Sequence, residues 1–243
     1  MKQIALVTGS SRGIGKEIAR ELVQSGFQVV LHASKASKDL ESTEFEFKKL
    51  DHRTSSIVFD VSDGAAVERA CKDIFKSIGR VDVLINNAGI ARDKTLVNMS
   101  DDDWDSVMKV NLYGPFFITK NVLPAMIENN YGRIINISSI AAERGAYGKT
   151  NYAAAKSGLI GFTKSLALET GRYNVTANVI CPGLIDTEMS RAIPEKYVQK
   201  AIEQISLRRV GRTEEIASLV SFLASEKSSY ITGAVLDVNG GWL

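Results

Sequence analysis

Three residues in this chain stand out for the chemistry they could do together: Ser139, Tyr152 and Lys156. Tyr152 and Lys156 end the run Tyr-Ala-Ala-Ala-Lys, a spacing that places both on one face of a helix. A phenol with its ordinary pKa near ~10 is a poor acid–base group at neutral pH. A lysine ammonium nearby favours the phenolate. Lowering the phenol by about 3 units asks for about 4 kcal/mol, which desolvated positive charge can supply. Such a pair suits proton exchange with a carbonyl or alcohol oxygen. With seven tyrosines in the chain, the pair alone says little. Its weight comes from Ser139, which follows a strand-like run, and from two glycine-bearing turns earlier in the chain.

The first of these turns is Thr8-Gly9-Ser10-Ser11-Arg12-Gly13-Ile14-Gly15. It follows a short apolar run and opens a helix-like segment. Backbone N–H groups at a helix start attract phosphate, and glycines let it come close. The pattern is not Gly-x-Gly-x-x-Gly, because Ile18 stands where a third small residue would be required. A dinucleotide is the expected ligand, with residues 9–15 lining it. An acid at the end of the second strand would bind a free ribose 2′-OH. This chain reads His32-Ala33-Ser34-Lys35 there, and the nearest acid, Asp39, lies beyond the expected strand end. Ser34, with positive charge from Arg12 and Lys35, suits a 2′-phosphate, so the expectation is NADP(H). An oxidised nicotinamide would add further positive charge near Tyr152. Asp60-Val61 ends the third strand, where a carboxylate could take the adenine amino group. Asn86-Asn87-Ala88-Gly89 ends the fourth, where Asn87, Ala88 and Gly89 let the backbone run close to a ligand. Asn87 could equally hold two strands together.

Seven short apolar runs must position these residues: 4–7, 29–31, 57–59, 81–85, 134–137, 175–180 and 234–236. They are continuous rather than alternating, as strands covered on both faces require. Helical patterns alternate with them. Ile14, Ile18 and Leu22 recur every four residues before Gly26; 65–78 is a second case; 102–129 is a long third, opened by Ser100-Asp101-Asp102-Asp103. Strand–helix alternation implies parallel pairing through right-handed crossovers. The expected fold class is α/β: a single-domain, Rossmann-like, doubly wound fold over 1–243. Its seven-stranded parallel sheet is flanked by helices on both faces, with the ligand crevice at the carboxyl ends of the strands. Residues from about 184 to 210 break the alternation and read as an insertion over the crevice, a substrate lid.

These motifs, together with Asn111 and Pro182-Gly183, make the whole chain resemble the short-chain dehydrogenase/reductase family. Val7 to Ala19, Asn151 to Leu159, Tyr230-Ile231-Thr232-Gly233 and Val238-Asn239-Gly240-Gly241 make it most similar to the 3-oxoacyl-(acyl-carrier-protein) reductases within it. The resemblance implies roles. Tyr152 is the acid of reduction. Lys156 lowers its pKa and holds the nicotinamide ribose. Ser139 donates to the substrate carbonyl, and Asn111 holds a water linking Lys156 to solvent. Pro182, Gly183, Ile185 and Thr187 would meet the nicotinamide, with Ser138 turned away. It also implies a homotetramer, for which Phe116, Phe117 and Leu166 offer apolar surface, and an acyl carrier protein bearing the substrate. The chain departs from the resemblance at three places: Glu128-Asn129-Asn130-Tyr131 is not basic, Tyr173 follows Arg172, and Glu143-Arg144 puts charge after Ser139. Arg172, Arg144 and Arg208-Arg209 are the remaining candidates for an acidic carrier.

Composition excludes several classes. Thirty Lys and Arg against 28 Asp and Glu leave a net charge of +2, unlike a nucleic-acid coat. The hydrophobic content of 44% can bury a core, so a disordered chain is not expected. Two distant cysteines, Cys71 and Cys181, and two histidines give neither a disulfide scaffold nor a metal-ligand pattern. No signal peptide or membrane-length apolar run is visible, and a soluble cytoplasmic protein is expected. The alternatives within enzymes are reduction of acetoacetyl-CoA or another ketone. Outside enzymes, a catalytically silent nucleotide-binding regulator is disfavoured because Asn111, Ser139, Tyr152 and Lys156 are all present.

Overall fold

The computed structural model describes residues 2–242. Seven strands, β1 (Ile4–Val7), β2 (Gln28–Ala33), β3 (Ser55–Val58), β4 (Val83–Asn86), β5 (Gly132–Ile137), β6 (Val175–Pro182) and β7 (Val235–Val238), form one sheet in the order 3-2-1-4-5-6-7. Every pairing is parallel. The order reverses between β1 and β4, which opens a crevice at their carboxyl ends.

The helices are α1 (Gly13–Gln24), α2 (Lys38–Lys48), α3 (Gly64–Ser77), α4 (Asp101–Met108), α5 (Gly114–Glu128), α6 (Ala141–Arg144), α7 (Thr150–Thr170), α8 (Glu188–Arg191), α9 (Glu195–Gln204) and α10 (Thr213–Ala224). Two apolar cores result. One joins α1 and α10 to a sheet face through Ile18, Leu22, Ile216 and Val220. The other joins α3, α5 and α7 to the opposite face through Val67, Ile74, Ile118, Val122 and Leu166. Central strands covered this way need the continuous Val, Ile and Leu runs that the sequence carries. Among the described residues no helix is long and apolar enough to cross a membrane.

Starts and stops follow local chemistry. Asp63 accepts from the Ala65 and Ala66 N–H groups at the start of α3. Ser100 and Asp103 cap α4 reciprocally, with three aspartates in the first turn. Gly26, at φ +93°, ends the turn after α1.

The long helix expected over 102–129 is not uniform. Residues Lys109–Tyr113 widen into a π-helical turn, with Gly114 N–H donating to the Lys109 carbonyl. The cause lies in the sequence: Pro115 has no N–H, and its ring crowds the carbonyl four residues back, which is that of Asn111. Such a bulge re-aims side chains, and Asn111 sits in its middle.

Candidate active site

Register brings the glycine turn against the end of the fourth strand. Val7 lies opposite Ile85, so Thr8 and Gly9 emerge beside Asn86 and Asn87. The Thr8 hydroxyl donates to the Ile85 carbonyl and accepts from the Asn87 and Ala88 N–H groups at 2.9 and 3.0 Å. The Asn87 amide donates to the Thr8 and Gly9 carbonyls at 2.8 and 3.1 Å. Asn87 therefore does hold the two strand ends together. Gly9 and Gly13 occupy the left-handed region at φ +64° and +57°. A Cβ on Gly15 would stand 2.2 Å from the Gly9 carbonyl oxygen and 2.4 Å from the Asn87 amide nitrogen. The turn thus packs closely on Asn87 and forms a backbone cradle at the N-terminus of α1, a position that suits a phosphate. Ser10 does not present its side chain to that cradle. It is buried, donates to the Val7 carbonyl and accepts from His32 N–H.

His32 completes the turn from beneath. Its Nδ1 accepts from Gly9 N–H at 3.0 Å, and its Nε2 faces the Phe59 carbonyl at 2.9 Å, which fixes the proton on Nε2. Burial lowers its pKa to about 4, against a weaker upward pull from the Phe59 carbonyl, so it is neutral. Reading the sequence for ligands passed over His32, whose only signal is a polar residue inside an apolar strand.

Past the end of β2, Ser34 and Lys35 are exposed beside the crevice, and Asp39 sits away in the first turn of α2. Arg12 is exposed and pairs with Glu188 of α8 at 3.1 Å. Asp60 accepts from the backbone and hydroxyl of Ser62. Val61 is buried against Gly114, leaving its backbone as what it can offer. Ser11 and Ile14 flank the turn, half-buried.

The three chemical residues converge across the crevice. Ser139 follows β5, and its Oγ accepts from Ala141 N–H at the start of α6. Tyr152 and Lys156 lie on one face of α7, with the Lys156 ammonium 5.7 Å from the Tyr152 ring centre. Lys156 is buried, and its Nζ donates to the Ile137 carbonyl at 2.7 Å. Desolvation brings the Lys156 pKa down to about 8. Burial pushes the Tyr152 phenol up, while Ser139 pulls it down and the Asp93 charge adds to the rise. The polypeptide alone therefore does not produce the lowered phenol expected from the Tyr–Lys pair. Desolvation outweighs the hydrogen bond from Ser139, and further positive charge is needed to bring the phenol down.

Asn111 is wholly buried, and both ends of its amide are spent on Ile90: Oδ1 accepts from Ile90 N–H and Nδ2 donates to the Ile90 carbonyl, each at 2.9 Å. A Cβ on Gly89 would lie 3.1 Å from Asn111 Oδ1 and 3.6 Å from Lys156 Nζ, so glycine keeps this corner open. Ser138 turns away and donates to the Lys156 carbonyl.

On the far side, Gly183 N–H donates to the Val238 carbonyl, and a Cβ there would meet Asn239 Cα at 2.7 Å. Pro182 ends β6 and its carbonyl accepts from Ile140 N–H. Ile185 is buried and pairs with Gly211. Thr187 caps α8 through Ser190 and reaches to within 3.8 Å of a Cβ built on Gly13. A cleft of about 280 Å³ opens beside Leu184, Ile185 and Gly211. A larger hollow, about 480 Å³, lies at the amino ends of the strands between Gln3, Phe27 and Phe222, far from Tyr152.

The charges after Ser139 have partners. Arg144 stacks over the Trp242 ring at 4.6 Å and donates to the Gln204 side-chain oxygen, which also accepts from the Trp242 indole. Glu143 is raised by burial and by Asp237 beside it; these two and Cys181 bring one ligating atom each within 4.8 Å of one another. Arg209 pairs with Glu215, and Arg208 donates to the Glu203 carbonyl. Arg172 lies over the Tyr173 ring and forms no ion pair among the described residues. Of the apolar residues expected on the outer face, only Phe116 is exposed. Leu166 is buried and Phe117 packs inward on Gly64.

Comparison with known proteins agrees with this geometry. Residues 9–243 match the family described as enoyl-(acyl carrier protein) reductase. The 3-oxoacyl-(acyl-carrier-protein) reductase FabG of Aquifex aeolicus is 43% identical over 239 residues, covering 98% of this chain and 96% of that protein. The proteins of the same name from Pseudomonas aeruginosa and Escherichia coli K12 are 44% and 41% identical, with the same coverage. A backbone cradle for a dinucleotide and a Ser–Tyr–Lys crevice, on a chain that aligns with such reductases along nearly its whole length, place it in the short-chain dehydrogenase/reductase family of nicotinamide-dependent enzymes.

Proposed function

We propose that this chain reduces the ketone of a 3-oxoacyl thioester, carried on an acyl carrier protein, to the 3-hydroxyacyl thioester, with NADPH as the cofactor. The observation that carries this reading is the convergence of Ser139 and Tyr152 on one side of a crevice whose other side is the glycine cradle. Two neighbouring hydroxyls, each able to donate, suit an oxygen that gains negative charge, which a ketone has and an isolated carbon–carbon double bond lacks. The relatives' names agree on a 3-oxoacyl substrate.

When bound, the cofactor supplies the hydride. The residues of the chain do the rest. The turn of residues 9–15 holds the pyrophosphate on backbone N–H groups, while Asp60, Val61 and residues 87–89 flank the adenosine. Ser34, Lys35 and Arg12 meet the 2′-phosphate, Arg12 exchanging Glu188 for it. Pro182, Gly183, Ile185 and Thr187 hold the nicotinamide end. Ser139 donates to the ketone oxygen, and Tyr152 delivers its proton to that oxygen. Lys156 holds the ribose and supplies positive charge, and Asn111 at the π-helical turn, its amide engaged by Ile90, fixes the corner beside Lys156. Residues 184–210 cover the substrate. The exposed Phe116, with Tyr113 and Leu168, supports a homotetramer.

The reading is tested by NADPH oxidation with acetoacetyl thioesters on carrier and on CoA, comparing the parent with Tyr152→Phe. Loss of two or more decades in kcat is expected, with NADPH affinity nearly intact. A Phe variant within threefold of the parent refutes the assignment. A second reading, reduction of acyl-CoA, is favoured by one observation: Arg144, Arg208 and Arg209 are engaged within the chain. Equal turnover of both thioesters would select it.

A further inference from the structure

We infer that Lys149 is a second cation acting on Tyr152, a positioning residue that together with Asp93 sets the pH range over which Tyr152 can give up its proton. The inference rests on Tyr152 being the proton donor.

The Lys149 ammonium lies 5.5 Å from the Tyr152 ring centre, slightly nearer than the 5.7 Å of Lys156. The Tyr152 ring thus has two lysines at comparable range. Only Lys156 is explained by the Tyr-x-x-x-Lys spacing. Lys149 Nζ is paired with Asp93 Oδ2 at 2.5 Å.

The pair is held in place by the fold. The segment carrying Asp93 is tied to the start of α7 by two hydrogen bonds, and α4 is tied there by a third. Lys94 N–H donates to the Gly148 carbonyl at 2.8 Å, and the Asn151 amide donates to the Arg92 and Asp103 carbonyls at 3.1 Å each. Gly148 takes φ +72°, a conformation costly for other residues, to make that approach. Lys149 is also out of place by local rules. It sits at the N-cap of α7 with no side-chain capping bond, where the helix dipole disfavours a cation. A residue that breaks a local preference at the rim of the crevice, and is held there by a dedicated carboxylate, fits a functional role.

The other charged and titratable groups around the phenol are accounted for. Lys156 shares the helix, and Ser139 comes from the turn after β5. Lys94 is neutralised by Asp103 of α4 at 2.8 Å. On α6, Glu143 faces Asp237 and Arg144 faces Trp242. Cys181 of β6 is held protonated by burial, at about 11. That leaves Lys149 and Asp93 as charges of opposite sign whose removal should act on Tyr152 in opposite directions. A unit charge at this range in a partly solvated site shifts a neighbour by roughly half a unit to one unit.

The experiment measures the pH dependence of kcat, and of phenolate absorbance as parent minus Tyr152→Phe, for Lys149→Gln, Asp93→Asn, Lys149→Arg and the double variant. Lys149→Gln removes positive charge and should raise the Tyr152 limb by about half a unit to one unit. Asp93→Asn removes negative charge and should lower it. Lys149→Arg and the Lys149→Gln/Asp93→Asn pair should both stay near the parent. Shifts in the same direction for both single variants, or none for either, would overturn the inference. In that event a limb still abolished by Tyr152→Phe leaves the proton-donor reading standing. A limb that survives in Tyr152→Phe removes that reading, and the inference with it.

Discussion

His32 ties the stability of the cofactor cradle to pH. Folded, it is neutral with a pKa of about 4; its ordinary value is 6.5. The unfolded chain therefore binds a proton more readily between those values. A group depressed in this way supports the fold above about 6.5, and the support is lost as pH falls toward 4. At pH 5 the unfolded histidine is almost fully protonated and the folded one is about one-tenth protonated, which amounts to about 2 kcal/mol lost relative to pH 7. Against a typical stability of about 5–15 kcal/mol this is a large share. His32 is 1% exposed, so solvent does little to screen the effect. The local consequence is specific. A protonated Nδ1 points an N–H at Gly9 N–H, and the glycine turn loses its floor. Urea unfolding of the parent and of His32→Gln at pH 7 and pH 5 isolates the term, because other groups titrate alike in both. Asp51, whose carboxyl is held at about 2, acts below this window. The parent should lose about 2 kcal/mol more than the variant between the two pH values, and NADPH affinity should weaken in parallel. Equal losses in parent and variant would refute the buried, neutral histidine.

Two further outcomes follow from the crevice. Ser34→Asp places a carboxylate past the end of β2, where no acid now stands; KM for NADPH should rise and preference move toward NADH, read from kcat/KM for the two cofactors. A parent that already prefers NADH would contradict the assignment of Ser34, Lys35 and Arg12. Arg172→Glu should raise KM for a carrier-bound substrate, by a margin that shrinks with added salt, and leave a CoA thioester nearly untouched. Equal losses on both substrates would make Arg172 structural.

Much of the site was legible because it is written in local chemistry. A glycine turn between a strand and a helix, an i,i+4 Tyr–Lys pair and a Ser after a strand are each set by residues adjacent in the chain. Their meeting at one crevice follows from strand–helix alternation, which dictates parallel pairing. The seven apolar runs became seven strands for the same reason, with ends shifted by a few residues where pairing partners, not hydrophobicity, set the boundary.

What stayed hidden depends on contacts between distant segments. His32 reads as a stray polar residue until folding puts Gly9 N–H on one ring nitrogen and the Phe59 carbonyl on the other. Lys149 reads as a solvated lysine until Asp93, 56 positions earlier, is folded against it. Glu143-Arg144 reads as an anomaly until Asp237, Gln204 and Trp242 supply its partners. Even the electrostatics of Tyr152 reversed: spacing alone lowers the phenol, whereas burial in the folded chain raises it. Sequence carries which groups can react and which elements carry them, because propensity and periodicity are local. Desolvation and charge pairing are sums over every neighbour in space, and only the folded chain contains them.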